Sequence, residues 1–86
     1  MSLEEIIQSA NKTNSIVIGS RESKKFIKLN DAKLIVMANN TPEKMKKEME
    51  HNAKIGGIKV EIFGKNSKEL GVLCGKPYPI SVLVVK

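Results

Sequence analysis

Residues 16–25 read Ile16-Val17-Ile18-Gly19-Ser20-Arg21-Glu22-Ser23-Lys24-Lys25. Three β-branched residues in a row predict a buried strand, and Gly19 ends it with a residue free to take positive φ. Ser20 is a good N-cap for a helix whose first turn carries Arg21, Glu22, Lys24 and Lys25. A strand that passes through a glycine into a helix presents unpaired backbone N–H groups and the positive end of the helix dipole, an anion site before any side chain is counted. Cationic side chains at the same spot make phosphate the natural ligand, and RNA is its expected source.

Upstream of this stretch, Leu3, Ile6, Ile7 and Ala10 recur at helical spacing, with Ser2 as the expected N-cap and Asn11-Lys12-Thr13-Asn14 as a polar link. A strand is predicted at Ser15–Ile18. The helix opened by Ser20 buries Phe26, Ile27 and Leu29 and breaks at Asn30-Asp31. Lys33–Ala38 is apolar on both faces, the mark of a central strand. Thr41 as N-cap and Pro42 at the first helical position open a third helix, whose seam is Met45, Met49 and Ala53 and whose stop is Gly56-Gly57. In Ile58–Phe63, Ile58, Val60 and Ile62 alternate with Lys59, Glu61 and Phe63, which predicts a strand wet on one face or at an edge. Ser67 is the expected cap of a short helix carrying Leu70, Leu73 and Cys74. The loop Gly75-Lys76-Pro77-Tyr78-Pro79 then leads to a last strand at Ile80–Val85.

The order αβαβαβαβ predicts an α/β domain with helices on both faces of one sheet, and its first three strands parallel through right-handed crossovers. Ligands of such sheets collect beyond the carboxyl ends of the strands. Gly19–Arg21 and Asn39-Asn40 lie there. If the last strand runs antiparallel, Pro77–Ile80 arrives at the same edge.

Eighty-six residues are expected to form one domain, 1–86. Fifteen Lys and Arg against nine Asp and Glu leave a net charge of +6, which points to a polyanionic partner. A single cysteine, Cys74, leaves no disulfide framework or cysteine-based metal cluster, and the lone His51 has no ligand partner at a useful spacing. No Walker loop, zinc cluster or Ser–His–Asp set can be assembled, so neither a cofactor nor enzymatic activity is expected. Apolar runs reach only four to six residues and the start Met1-Ser2-Leu3-Glu4-Glu5 is acidic. A cytoplasmic protein with no membrane association is therefore expected.

Three segments carry a resemblance. Ile18-Gly19-Ser20-Arg21-Glu22-Ser23-Lys24-Lys25, then Ala32-Lys33-Leu34-Ile35-Val36-Met37-Ala38-Asn39-Asn40-Thr41-Pro42, then Glu69-Leu70-Gly71-Val72-Leu73-Cys74-Gly75-Lys76 occur in this order. Together, over about Ser15 to Val85, the chain resembles the L-thirty-e branch of the kink-turn RNA-binding superfamily, the large-subunit ribosomal branch. Arg21 fits that branch, where a basic residue is usual, better than the L-seven-Ae branch, which has asparagine there. The resemblance implies a three-layer α/β/α sandwich with a four-stranded mixed sheet, order 1-4-2-3, strand four antiparallel. It also implies binding to ribosomal RNA at a sharply kinked internal loop beside tandem sheared G·A pairs, neighbouring ribosomal proteins as partners, and a monomer when free. Carried over residue by residue, it makes Gly19, Arg21, Glu22 and Lys25 the first contact group, Asn40 the second, and Lys76, Tyr78 and Ile80 the third.

The residue chemistry beside this resemblance has alternatives. Gly19 admits close approach of a phosphate or base edge, or is simply a turn glycine. Arg21 suits guanine O6/N7 or a phosphate. Glu22 accepts from a base N–H or only complements the helix dipole. Lys25 and Lys28, with Arg21 and Lys24 close by, form a phosphate-tracking ridge. Ser20, Asn39 and Gly75 complete the three loops, with Asn40 either a sugar or base contact or a turn residue. Tyr78 stacks on an unstacked base and Ile80 lines its pocket, or both only close the core. The competing functions are a stand-alone kink-turn adaptor in another ribonucleoprotein and a protein-interaction module without RNA.

Overall fold

Serine and asparagine side chains start two of the four helices. The Ser2 hydroxyl accepts the Glu5 N–H (3.2 Å) to open α1 (Leu3–Lys12), and Asn66 Oδ1 accepts the Glu69 N–H (3.0 Å) to open α4 (Ser67–Leu73). The computed structural model describes residues 2–86. In chain order it has α1, β1 (Ile16–Ile18), α2 (Ser20–Leu29), β2 (Leu34–Ala38), α3 (Glu43–Gly56), β3 (Lys59–Phe63), α4 and β4 (Val82–Val85).

The sheet is four-stranded with order β1-β4-β2-β3. β2 and β3 pair in parallel, and β4 runs antiparallel to both its neighbours, with Ile18 and Val36 both facing Leu83. Apolar side chains alternate between its faces. Leu34, Val36, Leu83 and Val85 pack with Ile7, Ala10 and Leu70 of α1 and α4. Ile35, Met37, Val82 and Val84 pack with Met49 and Ala53 of α3 and with the half-buried Phe26 and Ile27 of α2. The expected three-layer sandwich, its strand order and its strand directions are those observed. β2 is buried along its whole length, as a central strand with both faces covered must be.

Ser2 caps α1 as expected, whereas the starts of α2, α3 and α4 each differ from expectation by one residue. The Gly19 carbonyl accepts the Ser23 N–H (2.9 Å), so Gly19 at φ +99° is the N-cap of α2, and Ser20 is already helical. Only glycine holds that dihedral without strain. Pro42, not Thr41, caps α3. The Thr41 hydroxyl turns inward, 2.7 Å from the Ala38 carbonyl and 3.1 Å from that of Ser81, so its proton serves the chain crossing rather than the helix. Asn66, not Ser67, caps α4, since the Asn66 carbonyl accepts the Leu70 N–H (3.1 Å) and its side chain that of Glu69; Ser67 is the first helical residue, and Asn40 takes its N–H (2.9 Å).

Other departures follow from cover. Leu29, the last residue of α2, is 79% exposed, off the buried face formed by Ser23, Phe26 and Ile27. In β3, the last strand of the sheet, Ile62 is 43% exposed. Phe63, on the same face as Lys59 and Glu61, is instead buried with Leu70 of α4. Ile80 does not open β4. Its N–H goes to the Ser67 carbonyl (3.0 Å), which diverts it from the ladder into the core beneath α4.

Cys74 is buried, and burial pushes its thiol pKa up. Thiolate is the reactive form. Labelling with Ellman's reagent at pH 8 is expected to be slow in the folded protein and fast once urea unfolds it, with absorbance at 412 nm as the readout.

Candidate nucleic-acid interface

Inserting β4 antiparallel between β1 and β2 brings its first residues to the rim where β1, β2 and β3 end. The joins are short and specific. The Gly19 N–H donates to the Val82 carbonyl (2.9 Å), tying the β1–α2 turn to the start of β4. The Ala38 N–H donates to Ser81 (2.8 Å), tying the end of β2 to the same place. Asn39 donates its backbone N–H to Lys65 (3.0 Å) and its side-chain amide to Gly64 (3.2 Å), which brings in the β3–α4 turn. Asn40 clasps Ser67, accepting its N–H and donating Nδ2 to its hydroxyl (3.3 Å). The segments holding Gly19–Arg21 and Asn39-Asn40 thus meet the end of the α4–β4 loop along one edge, where Ile80 donates its N–H to the Ser67 carbonyl (3.0 Å).

The expected residues differ in how they present themselves there. Arg21, Glu22, Lys25 and Lys28 are exposed on α2. Arg21, Lys25 and Lys28 fall at i, i+4 and i+7, a cationic stripe leading from the rim down the outward face, opposite Ser23 and Ile27. Gly19 and Ser20 are half-buried in the turn, and no side chain caps the first N–H groups of α2. That leaves the open, electropositive helix start expected from the sequence.

Lys24 is engaged differently. Its ammonium is paired with Glu48 of α3. The hydrogen bond and charge of Lys24 hold the Glu48 carboxyl below its ordinary range, so the tie is fully present at neutral pH and released as pH falls through that lowered pKa.

Asn39 and Asn40 are exposed, and each uses its side chain to tie its turn to the β3–α4 turn. In the α4–β4 loop Gly75 is exposed, Lys76 half-buried and Tyr78 49% exposed, whereas Ile80 is only 2% exposed. Ser67, Lys68, Val72, Lys76, Pro77, Tyr78 and Pro79 line a shallow groove of about 480 Å³. Sequence reasoning passed over Ser67 and Gly71 as rim-building residues. The Leu-Gly-x-x-x-Gly spacing was their signal, since a buried glycine inside a helix marks close backbone approach. Among the described residues no cluster of His, Cys, Asp and Glu could hold a metal ion, and no helix is long and apolar enough to cross a membrane.

Comparison with known proteins agrees with this fold. The chain is 37% identical over its full length to the large ribosomal subunit protein eL30 of Methanosphaera stadtmanae, covering 88% of that protein. It is 35% identical to eL30 of Methanocaldococcus jannaschii, over 99% of this chain and 77% of that one. Among solved structures, a 15.5kD RNA binding protein of Giardia lamblia superposes with a TM-score of 0.87 at 18% identity, covering 96% of this chain and 69% of that one, a likeness of fold. The family model described as "Ribosomal protein L7Ae/L30e/S12e/Gadd45 family" matches residues 1–86. The chain belongs to that family.

Proposed function

We propose that this is a large-subunit ribosomal protein that binds ribosomal RNA through the rim described above and holds a kinked, kink-turn-like internal loop in its bent form. The observation that carries the reading is the convergence of three chain-distant loops beside the exposed Arg21–Lys25–Lys28 stripe and the uncapped start of α2. A straight A-form duplex would meet only part of that surface. A kinked one offers phosphates to the stripe, a widened groove to Gly19–Glu22, and an unstacked base to Tyr78. Arg21 and Glu22 read base edges or position the backbone, and Lys25, Lys28 and Lys76 track phosphates. Asn39, Asn40 and Gly75 shape the loops, and Ile80, buried in the core, anchors the end of the third. In this reading the protein is associated with the ribosome in the cytoplasm, beside other ribosomal proteins.

The test is a gel-shift titration against a kink-turn RNA and a straight duplex of equal length at several salt concentrations. Preference for the kinked RNA, with affinity falling steeply as salt rises, is expected. Equal binding to both would leave only a nonspecific phosphate surface, and binding to neither would turn the reading toward a protein-interaction module. Lys25→Ala is expected to lower the salt slope by about one without changing RNA preference. Lys24→Ala should lower it by less, because Glu48 already neutralises that charge. The slope of log K against log salt checks both.

A further inference from the structure

α4 packs unusually close to the loop that follows it. A Cβ placed on Gly71 would lie 2.1 Å from the Tyr78 carbonyl oxygen, 3.1 Å from the Tyr78 carbonyl carbon and 3.4 Å from Pro79 Cα. All of these are backbone atoms or flank a proline, so no side chain can swing aside to make room. The same glycine's carbonyl accepts the Lys76 N–H (2.9 Å), and the Ser67 carbonyl one turn earlier accepts the Ile80 N–H (3.0 Å). The loop is therefore bonded to α4 at both ends and pressed on Gly71 in the middle. Asn40 in turn holds Ser67 to the neighbouring loop. Tyr78 projects from the pressed point with half its surface exposed.

We infer that Gly71 is a positioning residue for RNA recognition: by lacking a side chain it lets the loop backbone settle onto α4, and this sets where Tyr78 stands on the rim. Gly71 is itself buried, out of reach of a ligand on the rim. Its effect on binding passes through the tyrosine, and the inference rests on the RNA-binding reading above. Any side chain at 71 lifts the backbone at Tyr78 and Pro79 and moves the ring away from the base it stacks on.

Tyr78 is the only tyrosine and there is no tryptophan, so intrinsic fluorescence reports this one residue. The experiment compares wild type, Gly71→Ala, Tyr78→Ala and the double variant for kink-turn RNA affinity, and wild type with Gly71→Ala for acrylamide quenching of the free protein. Each single variant is expected to bind about tenfold more weakly, the loss of one stacked base. The double variant should be no weaker than Tyr78→Ala alone, and Gly71→Ala should alter quenching without RNA. Losses that multiply in a folded double variant, or wild-type affinity and quenching in Gly71→Ala, would overturn the inference. If Gly71→Ala fails to fold, Pro79→Gly loosens the same contact without adding an atom. It should weaken binding and alter quenching, and wild-type behaviour there would overturn the inference equally. Absence of RNA binding by wild type would instead count against the functional reading, with the quenching comparison still reporting whether Gly71 places Tyr78.

Discussion

Arg21→Ala is expected to weaken binding to a kink-turn RNA by about 1–3 kcal/mol, roughly ten- to a hundredfold, while affinity for a straight duplex changes little. The side chain is exposed in the first turn of α2, beside N–H groups that no side chain caps. It can therefore add two hydrogen bonds in one plane to a guanine edge while the helix start holds an adjacent phosphate. Lysine supplies the charge but not the fork, so Arg21→Lys should recover the salt dependence and only part of the preference. Isothermal titration with both RNAs measures this. Equal loss on both would make Arg21 one phosphate contact among several.

Ile80→Ala is expected to destabilise the free protein by about 2–5 kcal/mol, the range for truncating a large aliphatic side chain in a packed core. Ile80 is 2% exposed and packs in the cluster that holds Leu70, Cys74, Phe63 and Leu83. Urea unfolding followed by far-ultraviolet circular dichroism reads the change as a lower midpoint at unchanged slope. A side chain serving only a bound base would leave the midpoint of the free protein where it was. The two positions thus separate by measurement: Arg21 governs affinity with little effect on stability, and Ile80 governs stability first.

The difference between these two residues also shows how far the chain could be read before folding. Ile16–Lys25 announces strand, turn and helix because each signal is local: β-branching, then a glycine, then a polar helix start. The inward set of α3, Met45, Met49 and Ala53, is equally local, being periodic along one helix. Ile80 has no such signature. It continues an apolar run and reads as the first residue of a strand, yet its N–H is claimed by Ser67, a residue brought close only when α4 folds back across the sheet. Lys24 and Lys25 are adjacent and chemically alike. One is nevertheless paired with Glu48, 24 positions away, and the other is left exposed.

From sequence alone came the alternation of helices and strands, the buried faces of α1, α3 and β2, the excess of positive charge and the loops expected to carry it. These depend on neighbours within one or two turns of chain, where backbone geometry leaves few choices. Periodicity did not say where β4 would insert; the family resemblance supplied that order, and pairings such as Ile16 with Val85 realise it. Tertiary structure alone decided that Asn40 would clasp Ser67, that Glu48 would neutralise Lys24, and that Gly71 would lie against the backbone of Tyr78. The first two join residues 27 and 24 positions apart and the third sets a helix against the loop that follows it, so the packing of whole elements determines which atoms meet.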